Sequence, residues 1–209
     1  MKVVVIGAGG HAKVVISVLQ AAGITVDIAL DEDEGKWGSE ILNVPVGGPT
    51  NLIRKMENVA AVIAIGSNSI RKKIALEYSN VRWLTVIHPK AYVHESVQIG
   101  KGTVVFAGAI IQPYTKIGSH VIINTGATID HDCEIGDYVH IAPGSHLAGN
   151  VKIGEGAFVG ISASIIPGIK IGEWAVIGAG AVVIDDIPPY TTAVGVPAKP
   201  ISKDKNREA

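Results

Sequence analysis

His131 and Asp132 form the adjacent pair in this chain that is best suited to moving a proton. An imidazole is a base near pH 7, and a neighbouring carboxylate can orient the ring and stabilise its protonated form. Asn124 lies seven residues earlier and His140 nine residues later. A single surface histidine usually has no catalytic role, so the case for this group depends on how the chain positions it.

A glycine-rich turn near the start of the chain is the second candidate site. Gly7, Gly9 and Ala12 follow the spacing of a dinucleotide-binding turn, and Asp31 lies about 20 residues further on. Backbone N–H groups at such a helix start bind anions. Three interpretations are open: a structural turn, an NAD(P) site, and a site for the diphosphate of a nucleotide-sugar. The third is favoured, because the surrounding unit of about 85 residues is only half of a two-lobed dinucleotide fold.

The turn belongs to an α/β unit that we predict over residues 1–87. Apolar, β-branched runs predict buried parallel strands at residues 2–6, 24–30, 60–65 and 81–87. Apolar periodicity predicts helices near residues 12–22, 50–57 and 70–78. Such alternation is typical of a parallel sheet covered by helices. His88-Pro89 marks the boundary, because the residue before a proline is pushed out of helical geometry.

The second half of the chain carries a repeat. From residue 87 to residue 183 every sixth residue is aliphatic, and an Ile-Gly pair recurs every 18 residues from 99 to 171. Neither a helix nor an alternating strand has this period. It predicts a solenoid in which three short faces make one coil, with about five coils stacked into a prism roughly 25 Å tall. Cys133 falls on an inward position of this register, so we expect it to be buried packing rather than a nucleophile.

Composition narrows the class of protein. The chain has 209 residues, of which 47% are hydrophobic and only 5% aromatic, as a narrow interior of Ile, Val and Ala requires. A net charge of -1 gives no reason to expect a nucleic-acid or anionic-membrane partner. The single cysteine fits a reducing compartment. The start lacks the apolar core of a signal peptide and no long apolar run suggests a membrane span, so we expect a soluble cytoplasmic protein.

The chain resembles the left-handed β-helix, or hexapeptide-repeat, acyltransferases. The hexads and the closing Val194-Gly195-Val196-Pro197-Ala198-Lys199 carry this resemblance. With the opening Gly7-Ala8-Gly9-Gly10-His11 included, it narrows to bacterial sugar acetyltransferases of the sialic acid O-acetyltransferase type. Within that type the chain is most similar to the N-acetyltransferases of UDP-4-amino-4,6-dideoxy sugars in the bacillosamine pathway.

The resemblance implies two domains. Residues 1–87 would form an α/β N-terminal Rossmann-like half-domain that binds the nucleotide-sugar. Residues 88–209 would form a left-handed parallel β-helix, the acetyltransferase domain, with a C-terminal tail. The implied activity is transfer of an acetyl group from acetyl-CoA to the amino group of a UDP-linked amino sugar, with no metal.

The resemblance implies the catalytic residues through a sequence motif of the sugar N-acetyltransferases. The sugar N-acetyltransferase pattern Asn-Thr…Glu-His-Glu…His reads here as Asn124-Thr125…Asp130-His131-Asp132…His140. His131 would be the general base, Asp132 would orient it, and Asn124 would position the acceptor or the ring. Both acidic residues beside His131 are Asp where the pattern has Glu, which puts the reach of Asp132 to the ring in question.

The resemblance also implies the binding residues. The UDP-sugar would contact Gly9, Gly10, His11, Lys13, Asp31, Gly66, Ser67 and Asn68. Acetyl-CoA would lie in a groove between neighbouring prisms of a homotrimer and would contact His140, Gly149, Ile161 and Ala179. The backbone N–H of Gly149 could polarise the thioester carbonyl.

The homotrimer should cover apolar residues that point outward from the prism. We expect this of Val104, Phe106, Ile122, Phe158 and Trp174. Two other functions stay open at this point. One is O-acetylation of a sialic acid or of another sugar hydroxyl, and the other is a non-catalytic trimeric nucleotide-binding protein.

Overall fold

A computed structural model describes residues 1–203. Residues 204–209, the end of the predicted C-terminal tail, lie outside the described part. In residues 1–203, no helix combines the length and the apolar character that a membrane crossing requires. The cytoplasmic location stays a prediction.

The N-terminal unit is built on a six-stranded sheet. Its elements are β1 (Lys2–Ile6), α1 (Gly10–Ala21), β2 (Ile28–Leu30), a 3-10 turn (Glu34–Lys36), β3 (Glu40–Ile41), β4 (Val44–Gly48), a 3-10 helix (Thr50–Lys55), β5 (Val59–Ile63), α2 (Asn68–Glu77) and β6 (Arg82–Trp83). The strand order is β3-β4-β2-β1-β5-β6, and the pairs are parallel except β3–β4. The unbroken apolar run of β1 suits its central place, where both faces of a strand are buried.

Residues 86–203 form a β-helix with three faces, whose strands pair in parallel except for the antiparallel pair at its end. The first face contains β7 (Val86–Ile87), β10 (Val104–Val105), β13 (Ile122–Ile123), β16 (His140–Ile141), β19 (Phe158–Val159), β22 (Val176–Ile177), β24 (Thr191–Val194) and β25 (Lys199–Lys203). The second contains β8 (Tyr92–Val93), β11 (Ile110–Ile111), β14 (Thr128–Ile129), β17 (His146–Leu147), β20 (Ser164–Ile165) and β23 (Val182–Val183). The third contains β9 (Gln98–Ile99), β12 (Lys116–Ile117), β15 (Glu134–Ile135), β18 (Lys152–Ile153) and β21 (Lys170–Ile171).

Residues 18 apart are neighbours in this ladder, as the pairing of Ile123 with Ile141 shows. The turns between the faces stack into three edges. The first edge, between the first and second faces, consists of residues 88–91, 106–109, 124–127, 142–145, 160–163 and 178–181. The second edge, between the second and third faces, consists of residues 94–97, 112–115, 130–133, 148–151, 166–169 and 184–187. The third edge, between the third and first faces, consists of residues 100–103, 118–121, 136–139, 154–157 and 172–175.

The predicted solenoid register is confirmed. The aliphatic hexad positions from Val105 to Val183 are buried in one continuous core. Ile87, in the first coil, is 38% exposed, because no coil stacks below it. The register therefore predicts side-chain direction along the whole repeat, and burial wherever coils stack on both sides.

Two predicted strands differ from the structure. The run 24–30 is extended in the sheet only at Ile28–Leu30. The run 81–87 is two strands, because Arg82–Trp83 pairs with β5 whereas Val86–Ile87 pairs with β10 as the first rung of the solenoid. The division of domains at residues 87 and 88 stays a prediction.

The N-terminal unit covers the first face of the solenoid. Val104, Phe106 and Ile122 are each 1% exposed and pack in one cluster with Ala12 and Val15 of α1. The expectation that a neighbouring chain would cover these three residues is therefore wrong, since the same chain already does so. Phe158 and Trp174 are partly buried. Exposed apolar side chains lie instead on the second face and the edges beside it, at Tyr92, Ile110, Ile161, Ile166 and Ile184.

Candidate functional site

His131 and Asp132 occupy a turn of the second edge and form a hydrogen-bonded pair. His131 Nδ1 lies 2.7 Å from Asp132 Oδ2, so the shorter Asp side chain does reach the ring. This hydrogen bond raises the pKa of His131. With Nδ1–H donating to the carboxylate, Nε2 is left as a proton acceptor, and the His131 side chain is 52% exposed. The pair has the form of a general base that is open to a substrate.

Gly149 lies one coil after His131 on the same edge and provides the space for its ring. A Cβ atom at Gly149 would lie 2.6 Å from His131 Cε1 and 2.7 Å from Nε2. The Asn150 N–H donates to the His131 carbonyl at 2.9 Å, which ties the two coils together at this point. Gly149 therefore fixes where the imidazole can lie.

Asn124 lies on the first edge, separated from His131 by the width of the second face. Its Nδ2 lies 3.1 Å from His140 Nε2, and its Oδ1 accepts from the Thr125 N–H at 2.8 Å. Ile161 and Ala179 lie on the same edge, two and three coils further on, and both are exposed. One chain thus divides the predicted residues between two edges: His131, Asp132 and Gly149 on the second, and Asn124, Ile161 and Ala179 on the first.

His140 points outward from the first face, as the register predicts, but the N-terminal unit buries it to 9% exposure. Its ring centroid lies 6.1 Å from that of His11 and 5.1 Å from that of Phe158. Burial, with a smaller effect from Arg71, lowers the pKa of His140 to about 3. His140 is therefore neutral at pH 7. Its Nδ1 is buried with no atom in good hydrogen-bonding geometry, although a contact with the Gly66 backbone partly opposes the lowering of its pKa.

The glycine-rich turn meets the first face beside this group. The ring of His11 packs on Phe106 at 5.5 Å, and burial lowers the pKa of His11 to about 4, with Arg71 adding to the effect. Its Nε2 is also buried without a partner. A Cβ atom at Gly9 or Gly10 would meet nothing within 4 Å, and both residues are exposed, so the turn borders open space. Lys13, one turn into α1, is exposed.

A cleft of about 490 Å³ lies at the carboxyl ends of β1, β2 and β5. Ligands of open parallel sheets bind at such strand ends. The cleft is lined by Gly7, Leu30, Asp31, Glu32, Thr50, Asn51, Ile65, Ile70, Lys73, Ile74, Glu77 and Tyr78. His11 is absent from this lining, so the structure places it at the solenoid end of the glycine turn rather than in the cleft.

Asp31 ties the glycine turn to the floor of the cleft. Its Oδ2 accepts from the Ala8 N–H at 2.6 Å, and its Oδ1 accepts from the Asp33 N–H and from Lys36 Nζ. Burial alone would raise the pKa of Asp31, but the backbone hydrogen bonds from Asp33 and Ala8 and the contact with Lys36 outweigh it and lower the pKa. The carboxylate therefore shapes the turn in addition to bordering the cleft.

The three predicted binding residues after β5 have different surroundings. A Cβ atom at Gly66 would meet open space, which leaves room for a ligand. Ser67 Oγ caps α2 by accepting from the Ile70 N–H at 3.5 Å. The Asn68 amide donates to the carbonyls of Gly156 and Ala157 on the third edge, so it joins the two units of the chain and has no free donor for a substrate.

Sequence reasoning missed Arg71, which is 1% exposed and hydrogen-bonds across the same interface. An arginine on a short helix carries no sequence signal of burial. The spacing of Asn68, Arg71 and Ala75 on one helical face could have suggested a contact surface.

Cys133 is confirmed as packing. It is completely buried, and burial raises the pKa of its thiol to about 11. Within the described range 1–203, no three His, Cys, Asp or Glu side chains are grouped so that they could hold a metal ion.

Two families match the chain. The family described as the PglD N-terminal domain matches residues 2–78. The family described as bacterial transferase hexapeptide, with six repeats, matches residues 114–149 and 150–185.

Named relatives agree with these families. UDP-N-acetylbacillosamine N-acetyltransferase of Bacillus subtilis (strain 168) is 45% identical over 110 residues, which cover 50% of this chain and 51% of the relative. An uncharacterized protein of Acanthamoeba polyphaga mimivirus is 36% identical over 103 residues, 21% of its length. The chain thus aligns with about half or less of each of these two relatives.

Solved structures match over nearly the whole chain. A histidine-to-asparagine mutant of perosamine N-acetyltransferase from Caulobacter crescentus, in complex with CoA and GDP-perosamine, has a TM-score of 0.91 and 41% identity and covers 97% of both chains. The acetyltransferase domain of PglB from Neisseria gonorrhoeae, in complex with acetyl coenzyme A, has a TM-score of 0.90 and 40% identity and covers 96% of this chain and 98% of that one.

Proposed function

This chain belongs to the family of bacterial hexapeptide-repeat transferases with a PglD N-terminal domain, and we propose that it transfers an acetyl group from acetyl-CoA to the amino group of a nucleotide-linked amino sugar. The observation that carries the proposal is the His131–Asp132 pair, whose geometry and raised pKa suit a general base. The relatives that bind CoA and GDP-perosamine or act on a UDP-sugar support the substrate class.

The nucleotide-sugar would extend from the cleft to the first edge. Its nucleoside would occupy the cleft beside Asp31, and its diphosphate would lie against the open backbone of Gly9 and Gly10. Beyond that turn lie His11, His140 and Asn124, where His11 Nε2 and His140 Nδ1 are buried. The resemblance placed His140 beside acetyl-CoA, but its position next to His11 leads us to assign it to the sugar. These groups could hydrogen-bond the sugar and bring its amine to the first edge.

The base must then come from a neighbouring chain, because His131 lies on a different edge. In a homotrimer, the second edge of one prism would face the first edge of the next, and acetyl-CoA would lie between them. Gly149 would border it from one chain, and Ile161 and Ala179 from the other. The exposed apolar residues Tyr92, Ile110 and Ile161 beside this groove support such a contact.

The chemistry follows from this arrangement. The amine nitrogen adds to the thioester carbon while His131 Nε2 takes the amine proton, and Asp132 stabilises the imidazolium. A backbone N–H, for which Gly149 is our candidate, stabilises the oxyanion. Collapse of the tetrahedral intermediate breaks the C–S bond, and the imidazolium returns the proton to the leaving thiolate of CoA.

We propose UDP as the nucleotide, on the name of the Bacillus subtilis relative, and a 4-amino-4,6-dideoxy hexose as the sugar, on the resemblance that the sequence shows. Thiol release from acetyl-CoA with UDP-linked and GDP-linked amino sugars, and with their hydroxyl analogues, tests this. Faster release with a GDP-sugar would replace UDP, and release only with hydroxyl analogues would make the protein an O-acetyltransferase. No release with any acceptor would leave a binding protein.

A mixing experiment tests the shared site. His131→Ala and Asn124→Ala should each lose activity alone, His131→Ala by about 10²- to 10⁴-fold. In co-refolded mixtures, about one quarter of the interfaces would pair an intact His131 with an intact Asn124, so about one quarter of wild-type activity should return. Absence of recovery from a mixture of the two inactive variants would show that the site does not combine these two edges.

A further inference from the structure

Two sides of helix α2 make different contacts. Ile70, Lys73, Ile74 and Glu77, which follow helical spacing, line the cleft. On the side toward the solenoid, Asn68 and Arg71 hydrogen-bond to the third edge, and Lys72 forms an ion pair with Glu155. The same short helix is therefore a wall of the nucleotide cleft and one of the contacts, beside that of α1, between the N-terminal unit and the β-helix.

Arg71 is buried in this contact between α2 and the third edge and forms hydrogen bonds on both sides of it. On the solenoid side, its guanidinium donates to the His120 carbonyl at 2.7 Å, to the Tyr138 carbonyl at 2.6 Å and to the Val139 carbonyl at 3.3 Å. On the other side it donates to the carbonyls of Ile65 and Gly66 at 3.1 and 3.3 Å. Ile65 lines the cleft, and Val139 directly precedes His140. One side chain thus bridges the wall of the cleft and the strand of His140.

The bridge is made of hydrogen bonds rather than of an ion pair. Over the described stretch, residues 1–203, no carboxylate pairs with Arg71, and Asn68 Oδ1 is its only side-chain acceptor. Burial lowers the pKa of Arg71 to about 9, so the group stays charged at pH 7. A planar fork with five N–H donors can satisfy carbonyls on two sides at once, whereas a lysine has three donors on a single nitrogen.

We propose that Arg71 is a positioning residue that sets the nucleotide-sugar cleft in register with the first edge of the solenoid, where the acceptor amine must arrive. This inference rests on the proposed acetyl transfer. Arg71 touches neither substrate in this arrangement and acts through Ile65, Gly66 and the His140 strand. Because the cleft and the edge lie on different units, their relative placement decides whether a bound sugar reaches the acetyl group.

Arg71→Lys and Arg71→Gln test the proposal in the full-length protein. Calorimetry with UDP, and separately with CoA, should give dissociation constants equal to those of the wild type, because neither subsite loses a contact. The kcat for acetyl transfer should fall by about 100-fold, since a misplacement of about 1 Å can cost that much. The crystal structure of Arg71→Lys should show the α/β unit, with α2 and the cleft intact, rotated as one body relative to the third edge.

Lys72→Met is the matched control, because it removes the neighbouring exposed pair with Glu155 on the same helix. Exposed pairs contribute little, so its kcat should equal that of the wild type. The proposal is overturned if Arg71→Lys keeps its kcat, if α2 keeps its wild-type position, if UDP or CoA binding falls together with kcat, or if Lys72→Met loses as much activity.

The wild-type reaction separates the two proposals. If the wild type releases no thiol with any amino sugar, the proposed function fails. The position of α2 and the UDP affinity of Arg71→Lys then still decide whether Arg71 sets the joint between the two units.

Discussion

The Gly149→Ala variant tests whether the backbone at Gly149 positions the imidazole of His131. The φ angle of Gly149 lies outside the left-handed region, so the backbone accepts an alanine there. The added methyl group would lie 2.6 Å from His131 Cε1. Carbon atoms in contact normally lie about 3.5 to 4.0 Å apart, so the ring must move by about 1 Å.

This displacement should reduce catalysis far more than stability. A catalytic group misplaced by about 1 Å can cost about 100-fold in rate, or about 2.7 kcal/mol in the activation free energy. The His131 side chain is 52% exposed and can swing toward solvent, so we expect the free energy of unfolding to change by less than about 1 kcal/mol. Alanine keeps the N–H of residue 149, so any oxyanion contact from that group is retained.

The assay is steady-state thiol release from acetyl-CoA, with thermal unfolding measured in parallel. The control is the same change in a His131→Ala background, where the methyl group has no ring to displace. Gly149→Ala should then have no further effect, which a double-mutant cycle would report as full coupling. An unchanged kcat in the single variant, or an equal loss in both backgrounds, would refute a positioning role for Gly149.

Two further predictions concern pH. The hydrogen bond to Asp132 raises the pKa of His131. Because a general base acts when neutral, Asp132→Asn should move the acidic limb of the kcat/KM profile to lower pH and reduce its maximum. An acidic limb that stays in place would contradict this. Burial lowers the pKa of His120 to about 4. As the pH falls below about 6.5, the unfolded chain therefore binds a proton that the folded chain does not. The free energy of unfolding should then fall, by about 2 kcal/mol per such histidine at pH 5. Urea unfolding of the wild type and of His120→Phe at pH 7.5 and pH 5 checks this, and equal pH dependence in both proteins would contradict it.

The fold could be predicted largely from one pattern. The hexad register specifies which side chains face inward, because each coil repeats the same three faces and each inward residue stacks on its counterpart 18 residues away. Strand limits in the N-terminal unit were less predictable. The run 81–87 reads as one apolar segment, yet its two halves pair with different sheets. Only the tertiary pairing separates them.

The docking of the two units could not be predicted. Val104, Phe106 and Ile122 read as outward apolar residues, and such residues look alike whether their own chain or a partner covers them. In this chain the α/β unit packs on these three residues. The same contact buries the rings of His11 and His140 and lowers the pKa values of both. Sequence spacing predicts the direction of a side chain, whereas burial depends on which surface packs against it.

The candidate catalytic residues show that separation along the chain does not predict separation in space, whereas the 18-residue repeat does. Asn124 and His131 are seven residues apart, but one face of the solenoid separates them. In a coil of 18 residues, the neighbour of His131 along its edge is Gly149, and the contact between them could have been predicted from the register alone. Counting in coils of 18 residues also places Asn124 on the edge that Ile161 and Ala179 share. If His131 is the base and Asn124 marks the acceptor site, as we propose, the two cannot meet within one rigid prism, and the division argues for a site completed by a second chain.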